Sequence, residues 1–286
     1  AGFNKRKRNF FSNFKVITNM VKELKNNTEL YAIIPAAGKS TRYKKSNKLF
    51  DGIDEDLSVI EPSLVSLSSL GVVNKIIVGY DESSKDFSKL IDSFGKLKNI
   101  ITESLDNNDI NTPHFKTEFV KGGITRQETV FNSLEYVKNI KINTDNLWIL
   151  VHDAARPCAI SFDFLEFINK TIECNTSSVM GLPISDTIKK VDKDFNLIKT
   201  VSRENMWVAQ TPQMFKFDII YKSLKHCIDN NIYVTDESQA LEILGYNCRM
   251  HMGRPHNFKI TRKSDLSFAR CIHNHIADYL FLDEED

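Results

Sequence analysis

Ala32-Ile33-Ile34-Pro35-Ala36-Ala37-Gly38-Lys39-Ser40-Thr41-Arg42 is an apolar strand pattern that runs straight into a small-residue turn carrying cations. A buried strand of this kind delivers a loop whose backbone N–H groups can approach an anion, because no large side chain stands in the way. Six residues after Arg42 comes Lys48, in Ser46-Asn47-Lys48-Leu49-Phe50, so two cations flank the place where a triphosphate would lie. The loop does not match the P-loop at the required spacing, nor Gly-x-Gly-x-x-Gly, and the common ATPase and dinucleotide readings lose ground. In isolation an ordinary strand-to-helix turn with surface lysines reads the same way, so the rest of the chain decides.

A chain of 286 residues, 41% apolar and 26% charged, is long enough to bury a full core. Its 38 basic and 37 acidic side chains leave a net charge of +1, which argues against binding nucleic acid through bulk electrostatics. Any anion site must be local. Cys158, Cys174, Cys227, Cys248 and Cys271 are scattered without a Cys-x-x-Cys pair, which reads as buried thiols in a reducing compartment rather than a disulfide framework or a structural zinc site. His273 and His275 stand two apart in a helix-like segment and point to different faces, so a metal pair is set aside.

Residues 1–29 form a basic extension of different composition. Lys5-Arg6-Lys7-Arg8 precedes Phe10, Phe11, Phe14, Val16, Ile17, Met20, Val21 and Leu24, a pattern compatible with an amphipathic helix. A targeting remnant, a membrane-surface helix and a packed decoration all fit this segment, and membrane contact is the less favoured of them. Residues 30–286 read as a single domain.

Leu64 to Leu70 reads as a helix, Val72 to Gly79 as a second buried strand, and Lys85 to Leu97 as a helix on its Phe87, Leu90, Ile91, Phe94 spacing. Alternating strands and helices favour a mostly parallel, doubly wound α/β sheet. Glu103 to Thr117 is a polar loop of no catalytic weight. Gly122-Gly123 then opens a helix from Arg126 to Val137, whose N-terminus faces the same sheet edge as the first loop and can serve as a second ligand loop.

Leu147 to Val151 is a buried strand that ends in His152-Asp153-Ala154-Ala155-Arg156-Pro157. Ligands in open α/β sheets lie beyond the carboxyl ends of strands, which places Asp153 and Arg156 where ligands bind. Asp153 suits Mg²⁺, which takes one or two carboxylates plus phosphate oxygens; the alternative is a structural Asp in the turn. From about residue 185 to 206 the pattern becomes a β-hairpin, with Asp192 to Asn196 as its polar turn. Such a hairpin cannot bury both faces on its own core and is expected to pair with another subunit.

Eight ordered blocks together resemble the 2-C-methyl-D-erythritol 4-phosphate cytidylyltransferase family. They are PAAGKSTR (Pro35 to Arg42), NKLF (Asn47 to Phe50), GGITRQETV (Gly122 to Val130), VHDAARP (Val151 to Pro157), PISDTIK (Pro183 to Lys189), WVAQTPQMF (Trp207 to Phe215), VTDESQALE (Val234 to Glu242) and GRPHNFKIT (Gly253 to Thr261). The resemblance implies a Rossmann-like nucleotidyltransferase fold and a homodimer formed through the hairpin arm. It implies Mg²⁺ or another divalent cation, and transfer of CMP from CTP to methylerythritol phosphate with loss of pyrophosphate.

Carried over by motif, Pro35, Ala36, Ala37, Gly38, Gly123, Arg126, Thr129, Asp153 and Ala154 would hold CTP. Arg42 and Lys48 would grip the triphosphate, Asp153 would hold the metal, and Arg156, Thr187, Thr211 and Lys259 would meet the acceptor. Arg203 would reach the acceptor phosphate in the partner subunit, and Arg42, Lys48, Arg203 and Lys259 would form the catalytic set.

The chain departs from the family at Ser40, at Tyr43 and in a gap from Arg42 to Lys48 one residue shorter than usual, with Lys44 and Lys45 as nearby cations. The rival readings are a ribitol 5-phosphate cytidylyltransferase, disfavoured by Ala154-Ala155, and a non-catalytic nucleotide-binding homologue. A bacterial cytoplasm is the expected location, with a plastid or apicoplast of an AT-rich eukaryote as the alternative.

Overall fold

The structure is a computed structural model that describes residues 28–37, 47–54, 57–84, 86, 88–92, 94–95 and 117–279. Gly38, Arg42, Lys44 and Lys45, residues 1–27 of the basic extension, and residues 103–116 of the polar loop lie outside the described residues.

Strand β1 spans Glu29–Pro35 and alternates its side chains between two cores. Leu30, Ala32 and Ile34 enter one, Tyr31 and Ile33 the other, as the period of two in a strand requires. Its first residue is Glu29, whose N–H donates to the Asn146 carbonyl at 3.0 Å. Helix α1 (Glu61–Ser68) begins and ends earlier than the apolar spacing suggested, because Pro62 fixes the first turn and Glu61 caps the chain at Ser58. Strand β2 (Lys75–Tyr80) likewise starts later, since the residues before it form the turn out of α1. The described residues between 88 and 95 are helical, in agreement with the spacing read there.

Strand β3 (Thr117–Lys121) takes in Thr117, which the sequence reading left in the loop. There follow α2 (Arg126–Ile140), β4 (Leu147–Val151), α3 (Ser161–Cys174) and β5 (Ser178–Pro183). The hairpin strands are β6 (Ile188–Val191) and β7 (Leu197–Val201), and the chain closes with β8 (Trp207–Lys216), α4 (Phe217–Asp229), α5 (Glu237–Ile243), β9 (Arg249–Met252) and α6 (Lys263–Tyr279).

Among the described residues seven strands form one sheet in the order β3-β2-β1-β4-β8-β5-β9, in which only β8 runs against its neighbours. Helices α1, α3 and α6 cover one face through Leu64, Phe164 and Leu266; α2, α4 and α5 cover the other through Leu134, Leu224 and Leu241. The order reverses at β1, which pairs with β2 on one side and β4 on the other. The carboxyl ends of β1 and β4 lie side by side at this reversal, the edge at which an open α/β sheet takes its ligand in a crevice. Among the described residues the hairpin pairs only with itself, as a separate two-stranded sheet.

Candidate active site

The crevice is built by close approach of backbone. Past β1, the Ala36 N–H donates to the Gly79 carbonyl at 2.7 Å, and Ala36 and Ala37 are buried. A Cβ on Gly122 would lie 2.5 Å from the Ala37 Cβ, so the Gly-Gly turn after β3 touches the first loop only because it carries no side chain there. Thr125 caps α2 in a reciprocal capping box: Glu128 N–H donates to Thr125 Oγ1 at 3.1 Å and Thr125 N–H to Glu128 Oε2 at 2.9 Å. Thr129 is fully buried, donating its hydroxyl to the Thr125 carbonyl at 2.8 Å and accepting the Gly123 N–H at 3.1 Å. Its hydroxyl shapes the turn and does not face the opening.

At the end of β4 stands Asp153, 7% exposed and surrounded by cations. Arg126 Nε donates to Asp153 Oδ1 at 2.9 Å, Lys259 Nζ to Oδ2 at 2.9 Å, and Arg156 Nε lies 3.5 Å from Oδ2. Burial pushes the carboxyl up, but Arg126, Lys259 and Arg156 outweigh it and hold Asp153 well below the usual carboxylate range. Arg126 is shared: its Nη1 and Nη2 donate to Glu237 Oε1 and Oε2 at 2.6 and 3.0 Å. Burial lowers the Arg126 guanidinium, yet Glu237 and Asp153 leave its pKa above the ordinary value. Three cations thus meet two carboxylates, a surplus of one positive charge at the crevice.

Beneath this cluster lies a buried polar layer. Thr211 Oγ1 accepts the Asp153 N–H at 3.0 Å and pairs with His152 Nδ1 at 3.2 Å. Burial lowers the His152 imidazole to about 3, so it is neutral and adds no charge. Asn257 donates Nδ2 to the Thr211 carbonyl at 2.8 Å and accepts Arg156 Nη1 on its own carbonyl at 2.7 Å. Burial also lowers Arg156, which is 8% exposed. Thr211 and Arg156 thus both support Asp153.

The fold therefore brings together Ala36, Ala37, Gly123, Arg126, Thr129, Asp153, Ala154, Arg156, Thr211 and Lys259. Pro35 ends β1 opposite Gly79. Lys48 stands beside the cluster, its Nζ donating to the Ile260 carbonyl at 2.7 Å, next to Lys259. Thr187 and Arg203 are exposed at the base of the hairpin and are not part of the cluster. Sequence reasoning missed Glu237, His152 and Asn257 as site residues. The signal for Glu237 was an acid in the first turn of a helix behind the capping residue Asp236, and nothing local named its partner.

His273 Nε2 pairs with Asp54 Oδ2 at 3.4 Å and His275 is exposed, so the two histidines do part to different surroundings. All five cysteines are unpaired. No helix among the described residues is long and apolar enough to cross a membrane.

Residues 30–275 match the family described as 2-C-methyl-D-erythritol 4-phosphate cytidylyltransferase. The protein of that name from Acinetobacter baumannii strain AYE is 36% identical over 246 residues, 86% of this chain and 94% of its own. Its counterpart from Haemophilus influenzae strain PittEE is 34% identical over 242 residues, 84% of this chain and 94% of its own. The crystal structure of the Francisella tularensis 2-C-methyl-D-erythritol 4-phosphate cytidylyltransferase superposes with a TM-score of 0.66 at 29% identity, covering 85% of this chain and 99% of that one.

Proposed function

The chain belongs to the 2-C-methyl-D-erythritol 4-phosphate cytidylyltransferase family and transfers CMP from CTP to the acceptor of that name, and we propose that it does so at the Asp153 crevice. The observation that carries this reading is the surplus of positive charge around one ionised carboxylate at the point where the strand order reverses. That is an arrangement for an anion, and a nucleoside triphosphate is one.

The reaction needs no nucleophilic side chain. An oxygen of the acceptor phosphate forms a bond to the α-phosphorus of CTP, the bond from that phosphorus to the bridging oxygen breaks, and the electron pair leaves on pyrophosphate. The attacking oxygen is already an anion, so catalysis rests on in-line positioning and on relief of charge repulsion. Ala36, Ala37 and the Gly122-Gly123 turn, held by Thr129, offer backbone to the nucleotide. Arg126 and Lys48 face the triphosphate, Arg42 is assigned to it by its motif alone, and Lys259 takes the acceptor phosphate.

A divalent cation fits these residues. Asp153 is ionised, and its Oδ1 and Oδ2, which each accept one bond, from Arg126 and from Lys259, each keep a lone pair for an ion. One carboxylate with the remaining ligands from phosphate oxygens is the habit of Mg²⁺. When bound, it supplies neutralising charge to the phosphates. Asp153 is the residue that would hold it.

The partner proposed for the arm is a second copy of the chain. Val191, Phe195, Leu197 and Ile198 are 44%, 86%, 63% and 55% exposed on a hairpin that, among the described residues, pairs with no other strand. Arg203, at the arm's base, then reaches the acceptor phosphate across the dimer. A bacterial cytoplasm is the proposed setting, supported by the bacterial relatives and the unpaired cysteines.

The test is pyrophosphate release with CTP and Mg²⁺, comparing methylerythritol phosphate with ribitol 5-phosphate. Release with the first alone is expected. Release with the second alone would change the acceptor while leaving the crevice in place, and release with neither would overturn the catalytic reading.

A further inference from the structure

Glu237 is 1% exposed, has no assigned part in the chemistry above, and is the most deeply buried carboxylate near the site. It occupies the first turn of α5, where the helix N-terminus favours a negative charge. That turn is itself pinned to the sheet. Asp236 caps it by accepting the Gln239 N–H at 3.0 Å, Gln213 Nε2 on β8 donates to Asp236 Oδ2 at 2.9 Å, and Ser238 N–H donates to Gln213 Oε1 at 3.2 Å.

From this fixed platform both Glu237 oxygens accept from Arg126, the two-point geometry of a guanidinium on a carboxylate; burial pushes the Glu237 carboxyl up and Arg126 opposes that rise. The two-point clamp sets the plane of the guanidinium, and the third bond, from Nε, goes to Asp153. Without the clamp Arg126 could turn both Nη groups onto Asp153, which would cover its carboxylate and withdraw the cation from the opening.

We propose that Glu237 is a positioning residue for nucleotide binding: it holds Arg126 edge-on between α5 and Asp153, so that the guanidinium meets the triphosphate without closing over Asp153. This rests on the reading of Arg126 as a CTP contact.

The sign of one measurement separates this role from a plain electrostatic one. Glu237→Gln keeps the shape and removes a negative charge, so by field alone the variant would bind a triphosphate more tightly. Loss of the clamp does the opposite. The experiment is calorimetric titration of CTP into the full-length protein carrying E237Q, E237D, R126M and R126M with E237Q, each first shown to melt cooperatively.

E237Q is expected to weaken CTP binding about 10-fold, the lower end of what loss of an outer supporting contact costs. Its KM for the acceptor should hold. E237D, which retains the charge, is expected to recover part of the loss, and E237Q should add nothing once Arg126 is Met. Unchanged or tighter CTP binding in E237Q overturns the positioning role, as does an equal loss in the R126M background. Unchanged binding in R126M itself overturns the CTP reading of Arg126, and this inference with it, so the two failures are distinguishable.

Discussion

Asp153 combines near-complete burial with a full negative charge, and the three cations around it are what reconcile the two. Asp153→Asn leaves Arg126, Arg156 and Lys259 facing one another without their shared counter-charge. It is expected to abolish Mg²⁺-dependent pyrophosphate release and to destabilise the fold by about 3–5 kcal/mol, the cost of breaking a buried ion pair from one side. Metal dependence that survives the substitution would remove Asp153 from the metal site. His152 supplies a second test at this scale. Its folded imidazole takes a proton only near pH 3, whereas the unfolded chain takes one near the ordinary value of 6.5. The unfolded state therefore binds more protons in between, and the contribution of His152 is complete above about pH 6.5 and is lost as the pH falls towards 3. Urea midpoints at about pH 7 and pH 5 should show a drop of about 2 kcal/mol that His152→Asn lacks. An identical drop in the variant would show that other groups carry it. The residue types at the site were legible from the sequence, since an acid and an arginine at the end of a buried strand announce a ligand edge. Their partners were not: that the Thr211 hydroxyl accepts the Asp153 N–H and that Arg156 lies 3.5 Å from its carboxylate follows from packing, not from the motif.

Among the elements, α2 joins capping to chemistry. Its N-terminal box holds Thr125 and Glu128 to each other, and Thr129 one turn later holds Gly123. Thr125→Ala should cost about 1 kcal/mol of stability, and because the same turn carries Gly123 it should raise the KM for CTP more than that for the acceptor. Equal effects on both substrates would mean that the turn serves the fold only. The arm has its own internal support. Asp192 Oδ1 accepts the N–H groups of Asp194 and Asn196, both at 2.9 Å, and Oδ2 accepts Asn196 Nδ2 at 3.0 Å. This clasp keeps Phe195 at the apex with φ of 66°, a left-handed conformation that an aromatic residue does not choose unaided. Alternation around a polar turn made the hairpin readable from sequence. The left-handed apex was not, because it follows from the closed turn and not from the preference of Phe195.

At the scale of the whole molecule the question is whether two chains share a site. Replacing Phe195, Leu197 and Ile198 by Ser removes the exposed apolar stripe of the arm and is expected to yield a monomer by sedimentation. Arg203→Ala should raise the KM for the acceptor and leave CTP affinity nearly unchanged. Since Arg203 is assigned to the partner's crevice, mixing D153N and R203A protomers should restore activity, because one crevice of the mixed dimer then has both residues intact. No recovery on mixing would place Arg203 in its own subunit's site.

By itself the sequence determined the strands at Ala32, Val72 and Leu147, the helix after Gly122-Gly123 and the hairpin, to within a few residues at their ends, together with the kind of chemistry each loop end could bring, because period-two apolar runs and glycine turns act over a few neighbours. It also carried the family, through eight blocks in order. Only the tertiary structure decided which charges meet. Arg126 is 27 residues from Asp153, Lys259 is 106 from it, and Glu237 is 111 from Arg126. Those partnerships arise where the sheet order reverses at β1 and α5 packs beside α4 over β8. Contacts across such separations follow from the packing of whole elements, and no local pattern of residues encodes them.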